Sequence, residues 1–220
     1  MFYLYPPSTL FDKLLPKQVA FSKTATTTAQ KKLLSEAVEA ICWKHKLASE
    51  TLHLSETPQV LEIQVIHLHL KEKAYPRLVL EVLDKAIPHP VVFELYYGQA
   101  IKQVLAYKRP SLQGNAWIVE SPYFESPWVA VEAVERHPLP VALNLECLYQ
   151  AMLLDQIPFP IRSGEAFSEC LLRQEEAQRL QGLIHKLEAQ LHKEPQLNRK
   201  HALFQELRQA KQALETATQL

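Results

Sequence analysis

Apolar residues recur along this chain with spacings that switch between those of helices and those of strands. After the threonine-rich stretch TATTTAQ, apolar residues recur near helical spacing: Leu33, Leu34, Ala37, Val38, Ile41 and Trp43. This spacing predicts an amphipathic helix from about 28 to 46. A second helix is predicted from about 76 to 86, with Pro76 in its first turn and Pro88 beyond its end. The stretch LPVALNLECLYQAMLLDQI predicts a third helix, from about 143 to 155.

Strand patterns fill the space between these helices. In VLEIQVIHLHLK the apolar positions change parity between Val65 and Ile66. Because side chains alternate between the two faces of a strand, this change indicates a bulge or a strand covered on both sides, and we favour the bulge. The stretch AWIVESPYF predicts a further strand after a turn at Gly114 and Asn115, and the segment ESPWVAVEAVERHPLP that continues from it is expected to be irregular.

The stretch VVFELYYGQAIKQVLAYKRP is typical of two strands joined at Gly98. A two-residue turn at Gly98 and Gln99 places Tyr97 opposite Ala100. One face of the hairpin then carries the apolar set: Val91, Phe93, Leu95, Tyr97, Val104 and Ala106. Glu94 falls on the other face, where we expect its carboxylate to remain hydrated. The order of elements predicts an α+β domain with helices packed on a largely antiparallel sheet, and we expect the aromatic-rich residues 1 to 22 to pack onto it.

The pattern changes at PFPIRSGEA, residues 158 to 166. Beyond it, apolar residues repeat at alternating spacings of three and four in two runs: Ala177, Leu180, Ile184, Leu187 and Leu191, then Leu203, Leu207, Ala210, Leu214 and Ala217. Pro195 stands in the polar break between the runs, so we predict a helical hairpin, an antiparallel coiled coil. The sequence therefore predicts two domains, a globular α+β domain over 1–160 and a coiled-coil hairpin over 166–220.

Composition limits the classes of function. Of the 220 residues 47% are hydrophobic, and 24 basic side chains balance 24 acidic ones, so the protein has a core but no overall field that attracts polyanions. Three widely spaced cysteines suggest neither a disulfide framework nor a zinc site. MFYLYPPSTLFDKLLPK does not resemble a signal sequence, and no apolar run is long enough to span a bilayer. We expect a cytoplasmic protein without membrane contact.

Catalytic motifs are missing from the sequence. Its four glycines form no phosphate-binding loop, and no GxSxG or HExxH motif occurs. We therefore predict no cofactor and assign no catalytic or metal residue.

A divergent nuclease is the enzymatic alternative, because PD-(D/E)xK nucleases place acids on neighbouring strands to bind a divalent metal. The lysine expected after Glu94 is absent, while Glu62 with Gln64 fits a rarer variant and Asp84 is the other available acid, on a predicted helix. His67 and His69 share a strand face, as two metal ligands could, and His89 precedes the adjacent strand as a possible third ligand. We favour the interpretation that these histidines are exposed polar residues.

Two basic patches are candidate contacts for a partner. Tyr107, Lys108 and Arg109 at a strand end could hold a phosphate and stack a base. Lys193, Arg199 and Lys200 lie at the predicted tip of the hairpin. At the hairpin we favour a protein partner over nucleic acid.

Several stretches, in order along the chain, resemble a family of uncharacterised bacterial and archaeal proteins: MFYLYPPSTLFDKLLPK, AIPHPVVFEL, AYKRPS, YFESPW, LPVALNLECLY and QLNRK. The family is a domain of unknown function whose genes tend to lie beside a Swi/Snf-type helicase and type III methyltransferase and restriction subunits. The resemblance implies a phage-defence context and supplies no catalytic residues. We expect a non-catalytic accessory subunit of a restriction or helicase complex, with the helicase or methyltransferase as partner and a metal-dependent nuclease as the alternative.

Overall fold

The computed structural model describes residues 1–17, 27–111, 116–120 and 122–219, and the chain divides into two compact units, Met1–Gln156 and Ile157–Leu220. The strands are β1 (Phe2–Leu4), β2 (Leu10–Leu14), β3 (Val38–Ala48), β4 (Glu62–Leu70), β5 (Val91–Tyr97), β6 (Ala100–Leu105), β7 (Lys108–Pro110), β8 (Trp117–Val119), β9 (Phe124–Glu125), β10 (Val129–Ala130) and β11 (Arg136–Pro138). The helices are α1 (Thr28–Ala37), α2 (Ser49–Leu52), α3 (Leu78–Ala86), α4 (Leu145–Leu154), α5 (Phe167–Lys193) and α6 (Leu197–Thr218).

The first unit is built on one mixed sheet with the order β10-β6-β5-β4-β3-β2, and β9 pairs with β6 beside this path. Strands β4 and β5 are parallel and are connected through α3, whereas the other pairs in this sheet are antiparallel. Two small ladders accompany it, a parallel pair of β1 with β11 and an antiparallel pair of β7 with β8. The predicted α+β class with a largely antiparallel sheet is confirmed.

Both faces of the sheet are covered. On one face, residues of β4, β5 and β6 pack with α1 and α3 in a core that includes Leu68, Phe93 and Leu83. On the other face α4 packs against β4, and Arg136 of β11 bonds to β5. The sheet is therefore the middle layer of the unit, and few of its central side chains reach solvent.

Coverage on both faces explains the parity change in β4, where Val65 and Ile66 are both buried. Strand β4 pairs with β5 without a shift in register, so the bulge that we favoured there is wrong. The irregularity lies in β3 instead: Trp43 pairs with Ile66 and His45 with Val65, which leaves Lys44 as the extra residue.

The long helix predicted for 28 to 46 is also wrong in its second half. The helix begins with a capping box between Thr27 and Gln30, and strand β3 takes over directly after Ala37. A second register shift in β3, between Val38 and Ala40, leaves Glu39 as an extra residue and lets Val38 and Ile41, which lie three positions apart, enter the same core. This shift gives a strand the apolar spacing of a helix.

The turn of the central hairpin and the other two helices were predicted correctly, but of the predicted apolar face of the hairpin Tyr97 is exposed and lies outside the core. Tyr97 pairs with Ala100, and Gly98 has the positive φ of 54° that glycine adopts without strain. Helices α3 and α4 lie within the predicted ranges.

The strand predicted after the hairpin is divided in two, because β8 pairs with β7 while β9 pairs with β6. Its preceding turn, at Gly114 and Asn115, lies outside the described residues. The segment expected to be irregular, which begins at the last residue of β9, carries the short strands β10 and β11. Of the N-terminal arm, Phe2, Tyr3 and Tyr5 are buried, whereas residues 18 to 22 lie outside the described part of the chain.

The second unit contains α5 and α6, which fold back on each other around an apolar seam. The seam residues are Ile184, Leu187, Leu207 and Ala210, flanked by Leu183, Leu191, Leu203 and Leu214. A salt bridge of 2.7 Å joins Glu188 of α5 to Lys211 of α6. The predicted helical hairpin is confirmed. Among the described residues, no helix has the length and apolarity that crossing a bilayer requires.

Candidate functional site

The first candidate site surrounds Glu94, whose side chain is 0% exposed in the middle of the sheet. The strand register places Glu94 between His67 of β4 and Gln103 of β6. Arg136 donates two hydrogen bonds to the carboxylate from its terminal nitrogens, Nη1 to Oε1 and Nη2 to Oε2, each at 2.9 Å. The same arginine donates to the backbone carbonyl of Tyr3 at 2.9 Å. One side chain thereby ties β1 and β11 to the sheet.

Two more groups complete the environment of this carboxylate. His67 Nε2 lies 3.2 Å from Glu94 Oε2, and the Tyr96 hydroxyl donates to the same oxygen at 3.1 Å. Burial by itself raises the pKa of Glu94, but hydrogen bonds from Arg136 and His67 outweigh it and hold the pKa at about 2. Glu94 is therefore an ionised, fully bonded group at neutral pH.

The expectation that Glu94 stays hydrated is wrong. Alternation along β5 correctly places it opposite the apolar face of the hairpin. The covering layer comes from β1 and β11, and Arg136 lies 42 positions away in the sequence. Local pattern carries no information about contacts at that separation.

A second buried ion pair lies on the α3 side of the sheet. Lys108 Nζ is 2.8 Å from Asp84 Oδ1, and it also donates to the backbone carbonyls of Asp84 and Ile87. The Tyr123 hydroxyl donates to Asp84 Oδ2 at 2.8 Å. Burial lowers the pKa of Lys108, and the Asp84 carboxylate opposes that shift. Both groups are satisfied inside the unit.

The ion pair of Lys108 with Asp84 removes Lys108 from the patch at the strand end that the sequence predicts as a partner contact. Lys108 is buried, so its ammonium group faces Asp84 and not a phosphate. Tyr107 stacks on Tyr149 with 6.1 Å between ring centroids, and Arg109 forms a half-exposed salt bridge of 2.6 Å with Glu120. The structure does not bring Tyr107, Lys108 and Arg109 together on one open surface.

The acids considered for a nuclease lie in separate environments. Asp84 and Glu94 are on opposite sides of the sheet, each bonded to a cation. Glu62 lies 3.4 Å from Lys46 and accepts a hydrogen bond from Gln64. In the part of the chain that the structure describes, no group of three His, Cys, Asp or Glu residues is arranged to hold a metal ion.

The three histidines considered as metal ligands have different neighbours. His69 is exposed, as expected, and stacks on Tyr96 with 5.1 Å between centroids. His67 is largely buried against Glu94, so its predicted exposure is wrong. His89 lies 3.5 Å from Glu62.

The hairpin tip does bring its predicted residues together. Lys193 ends α5, and Arg199 with Lys200 lies in the first turn of α6. A groove of about 540 Å³ lies between the helices here, lined by Gln190, Lys193, Glu194, Arg199, Ala202, Leu203 and Glu206. Beside it Leu197 is 79% exposed and Phe204 is 57% exposed. The tip is therefore an open surface that combines cations with large apolar side chains.

A family model described as a domain of unknown function, DUF4391, matches residues 4–214 of the chain. This protein is a member of the DUF4391 family. The DUF4391 match extends through both compact units, so the helical hairpin is part of the family domain and not a separate appendage. No curated protein and no solved structure matched the chain.

Two features of this DUF4391 protein were missed by the sequence reasoning. The first is the exposed pair Leu197 and Phe204. Both residues are apolar, lie seven positions apart and fall outside the heptad positions of the seam, and this spacing could have revealed them. The second is an apolar groove of about 660 Å³ in the first unit, between β1 and the segment after β11. Its lining is Leu4, Tyr5, Pro6, Pro7, Leu52, Leu54, Pro138, Leu139, Pro140, Val141, Ala142 and Leu148. No periodic pattern in the sequence marks that groove.

Proposed function

We propose that this DUF4391 protein is a cytoplasmic, non-catalytic accessory subunit of a prokaryotic restriction or helicase-based defence system. In this proposal the hairpin binds one component of the complex and the body binds another. The observation that carries it is the open hairpin tip, where Leu197 and Phe204 are exposed beside three cations. The resemblance to proteins encoded beside helicases and type III restriction subunits supports the choice of system.

The two buried ion pairs support a structural role for the acids in the sheet. A nuclease carboxylate must be free to coordinate a divalent metal ion. Glu94 is bonded to Arg136, and Asp84 is bonded to Lys108. Incubation of the protein with plasmid, single-stranded DNA or RNA in Mg²⁺ or Mn²⁺ should give no cleavage. Cleavage that Glu62→Ala or Glu94→Ala abolishes would overturn the proposal.

Partner binding is tested by a charge placed in the seam. Leu207 is buried between the helices, so Leu207→Glu puts an unpaired ion there and should open the hairpin at a cost of several kcal/mol. We expect this variant to lose co-purification with the neighbouring helicase or methyltransferase. Gln209→Glu is the matched control, because it adds the same side chain at an exposed position of α6.

The body serves as an internal reference in this experiment. All three tryptophans, Trp43, Trp117 and Trp128, lie in the first unit, so their fluorescence reports its unfolding separately from that of the hairpin. The tryptophan transition of Leu207→Glu should match that of the unmodified chain. If Leu207→Glu still co-purifies with the partner, the binding site lies on the body.

A further inference from the structure

The outer half of the hairpin, residues 183–208, has more basic than acidic side chains. It carries five cations, Lys186, Lys193, Arg199, Lys200 and Arg208, against three acids, Glu188, Glu194 and Glu206. All five cations are exposed, and none forms an ion pair with another described residue. Cations nearer the base of the hairpin are paired instead: Arg173 with Glu165, Arg179 with Glu176, and Lys211 with Glu188. Arg162, also near the base, donates to the backbone carbonyls of Thr216, Ala217 and Gln219. Among the described residues of this unit, the exposed cations without an ion pair therefore lie in the outer half.

Four residues of this half form a stripe on α6 that is separate from the seam. Leu197, His201, Phe204 and Arg208 follow one another at steps of four, three and four, which places them on one side of a helix. The seam residues of α6, which begin with Leu203, lie on another side. Lys200 borders the stripe one turn after Leu197. We call these five residues the outer stripe.

Resting on the proposed function, we propose that the outer stripe docks an acidic amphipathic α-helix of a protein partner. Apolar side chains of that helix contact Leu197 and Phe204, which are about 10 Å apart along α6 at 1.5 Å per residue. Its Asp or Glu residues, placed beside the apolar ones, pair with Lys200 and Arg208. The unpaired positive charge of the outer half makes an acidic partner complementary.

Nucleic acid fits the same surface less well. Phosphates would satisfy the cations, and a base could stack on Phe204. Leu197 is 79% exposed, and neither a phosphate nor a base edge requires an aliphatic contact at that point. Leu197 and Phe204 are one heptad apart on α6. Two apolar residues one heptad apart on a partner helix can contact both of them at once.

The test uses the full chain and three probes in a fluorescence anisotropy titration. The first is a labelled peptide of about 21 residues, stapled to remain helical, with leucines one heptad apart and glutamates beside them. The second peptide has lysine in place of glutamate, and the third probe is a short DNA duplex. We expect the glutamate peptide to bind at least about tenfold more tightly than the lysine peptide, and its affinity to fall as salt is added.

Variants separate the apolar from the ionic contribution. Phe204→Ala should weaken binding of the glutamate peptide about tenfold, and Lys200→Glu combined with Arg208→Glu should invert the preference in favour of the lysine peptide. Arg179→Ala removes an exposed cation that is already paired, near the base of the hairpin, and should change nothing. Helicity measured by circular dichroism should be the same in all of these variants.

Three results would overturn the inference: equal affinity for the two peptides, no effect of Phe204→Ala, or a preference for duplex DNA that depends on Lys200 and Arg208 but not on Phe204. The last would identify a phosphate-binding surface. No defence component is present in this titration, so its outcome is independent of the co-purification experiment. If Leu207→Glu loses the partner while the stripe variants keep it, the proposed function stands and the docking surface lies elsewhere.

Discussion

Replacing Arg136 with methionine tests whether the bonds from Arg136 to Glu94 and to the Tyr3 carbonyl hold the N-terminal strand β1 on the sheet. The variant removes both 2.9 Å bonds to Glu94 and the bond to the Tyr3 carbonyl, while the apolar stem of the side chain is kept. Breaking a buried ion pair by removal of one partner costs about 3–5 kcal/mol. His67 remains beside the carboxylate, and the Arg136 side chain is 30% exposed. We therefore expect a loss near the lower end, about 3 kcal/mol.

The pH dependence of the loss gives an independent check. In the unmodified protein the pKa of Glu94 is held at about 2, so this group stabilises the fold at neutral pH and loses that effect as pH falls from about 4.5 toward 2. Without Arg136, burial becomes dominant and raises the pKa of Glu94. The folded variant then gains stability on protonation, and the difference in unfolding free energy should shrink as pH is lowered from 7 to 5.

Urea unfolding followed by tryptophan fluorescence measures this difference in the full chain, because every tryptophan lies in the first unit. Glu94→Gln is the matched variant, since it preserves shape and leaves Arg136 free to contact water. It should cost about 1–2 kcal/mol. The double variant should be more stable than Arg136→Met alone, because it contains no unpaired buried carboxylate.

A loss below about 1 kcal/mol for Arg136→Met would refute this reasoning, because an exposed pair gives that value. A loss that is constant between pH 7 and 5 would show that Glu94 does not become an unpaired buried charge.

Three further predictions concern the first unit. Lys108→Met leaves the Asp84 carboxylate buried without its cation and should lower the urea unfolding free energy by about 3 kcal/mol or more, whereas Arg109→Ala should lower it by less than about 1 kcal/mol. Burial lowers the pKa of His45 from 6.5 to about 4, so stability should fall as pH falls through this interval, and His45→Gln should flatten that dependence in unfolding measured from pH 7 to 4. Residues 1–156 expressed alone should keep a cooperative tryptophan transition, and a gradual one would show that the boundary is misplaced.

The parts of the fold that the sequence predicted are those that local pattern specifies. The hairpin turn at Gly98 and the heptad runs of the helical hairpin each depend on residues close in sequence. Strand β3 was misassigned because its register shift gives Val38 and Ile41 a helical spacing. The alternation expected of a regular strand fails where an extra residue is inserted, so the pattern did not reveal this strand.

The candidate site was harder to predict because its chemistry depends on distant pairs. Lys108 and Asp84 lie 24 positions apart, and Arg136 and Glu94 lie 42 apart. In the sequence each of these four residues resembles a solvated surface charge, the commoner environment of its residue type. The grouping of cations at the hairpin tip was predictable, because the turn at Pro195 places them together. The exposure of Phe204 was not.

The bond from Arg136 to the Tyr3 carbonyl also affects the order in which the chain folds during synthesis. These residues are 133 positions apart, so Tyr3 leaves the ribosome long before its partner exists. Until then β1 lacks its partner strand β11 and Glu94 lacks its cation, so we expect the face of the sheet that carries Glu94 to be open to other chains. Because its contacts are long-range, we expect closure to be slower than formation of the local hairpin from α5 and α6. A nascent chain stalled before residue 136 is therefore the form of this protein that most needs a chaperone.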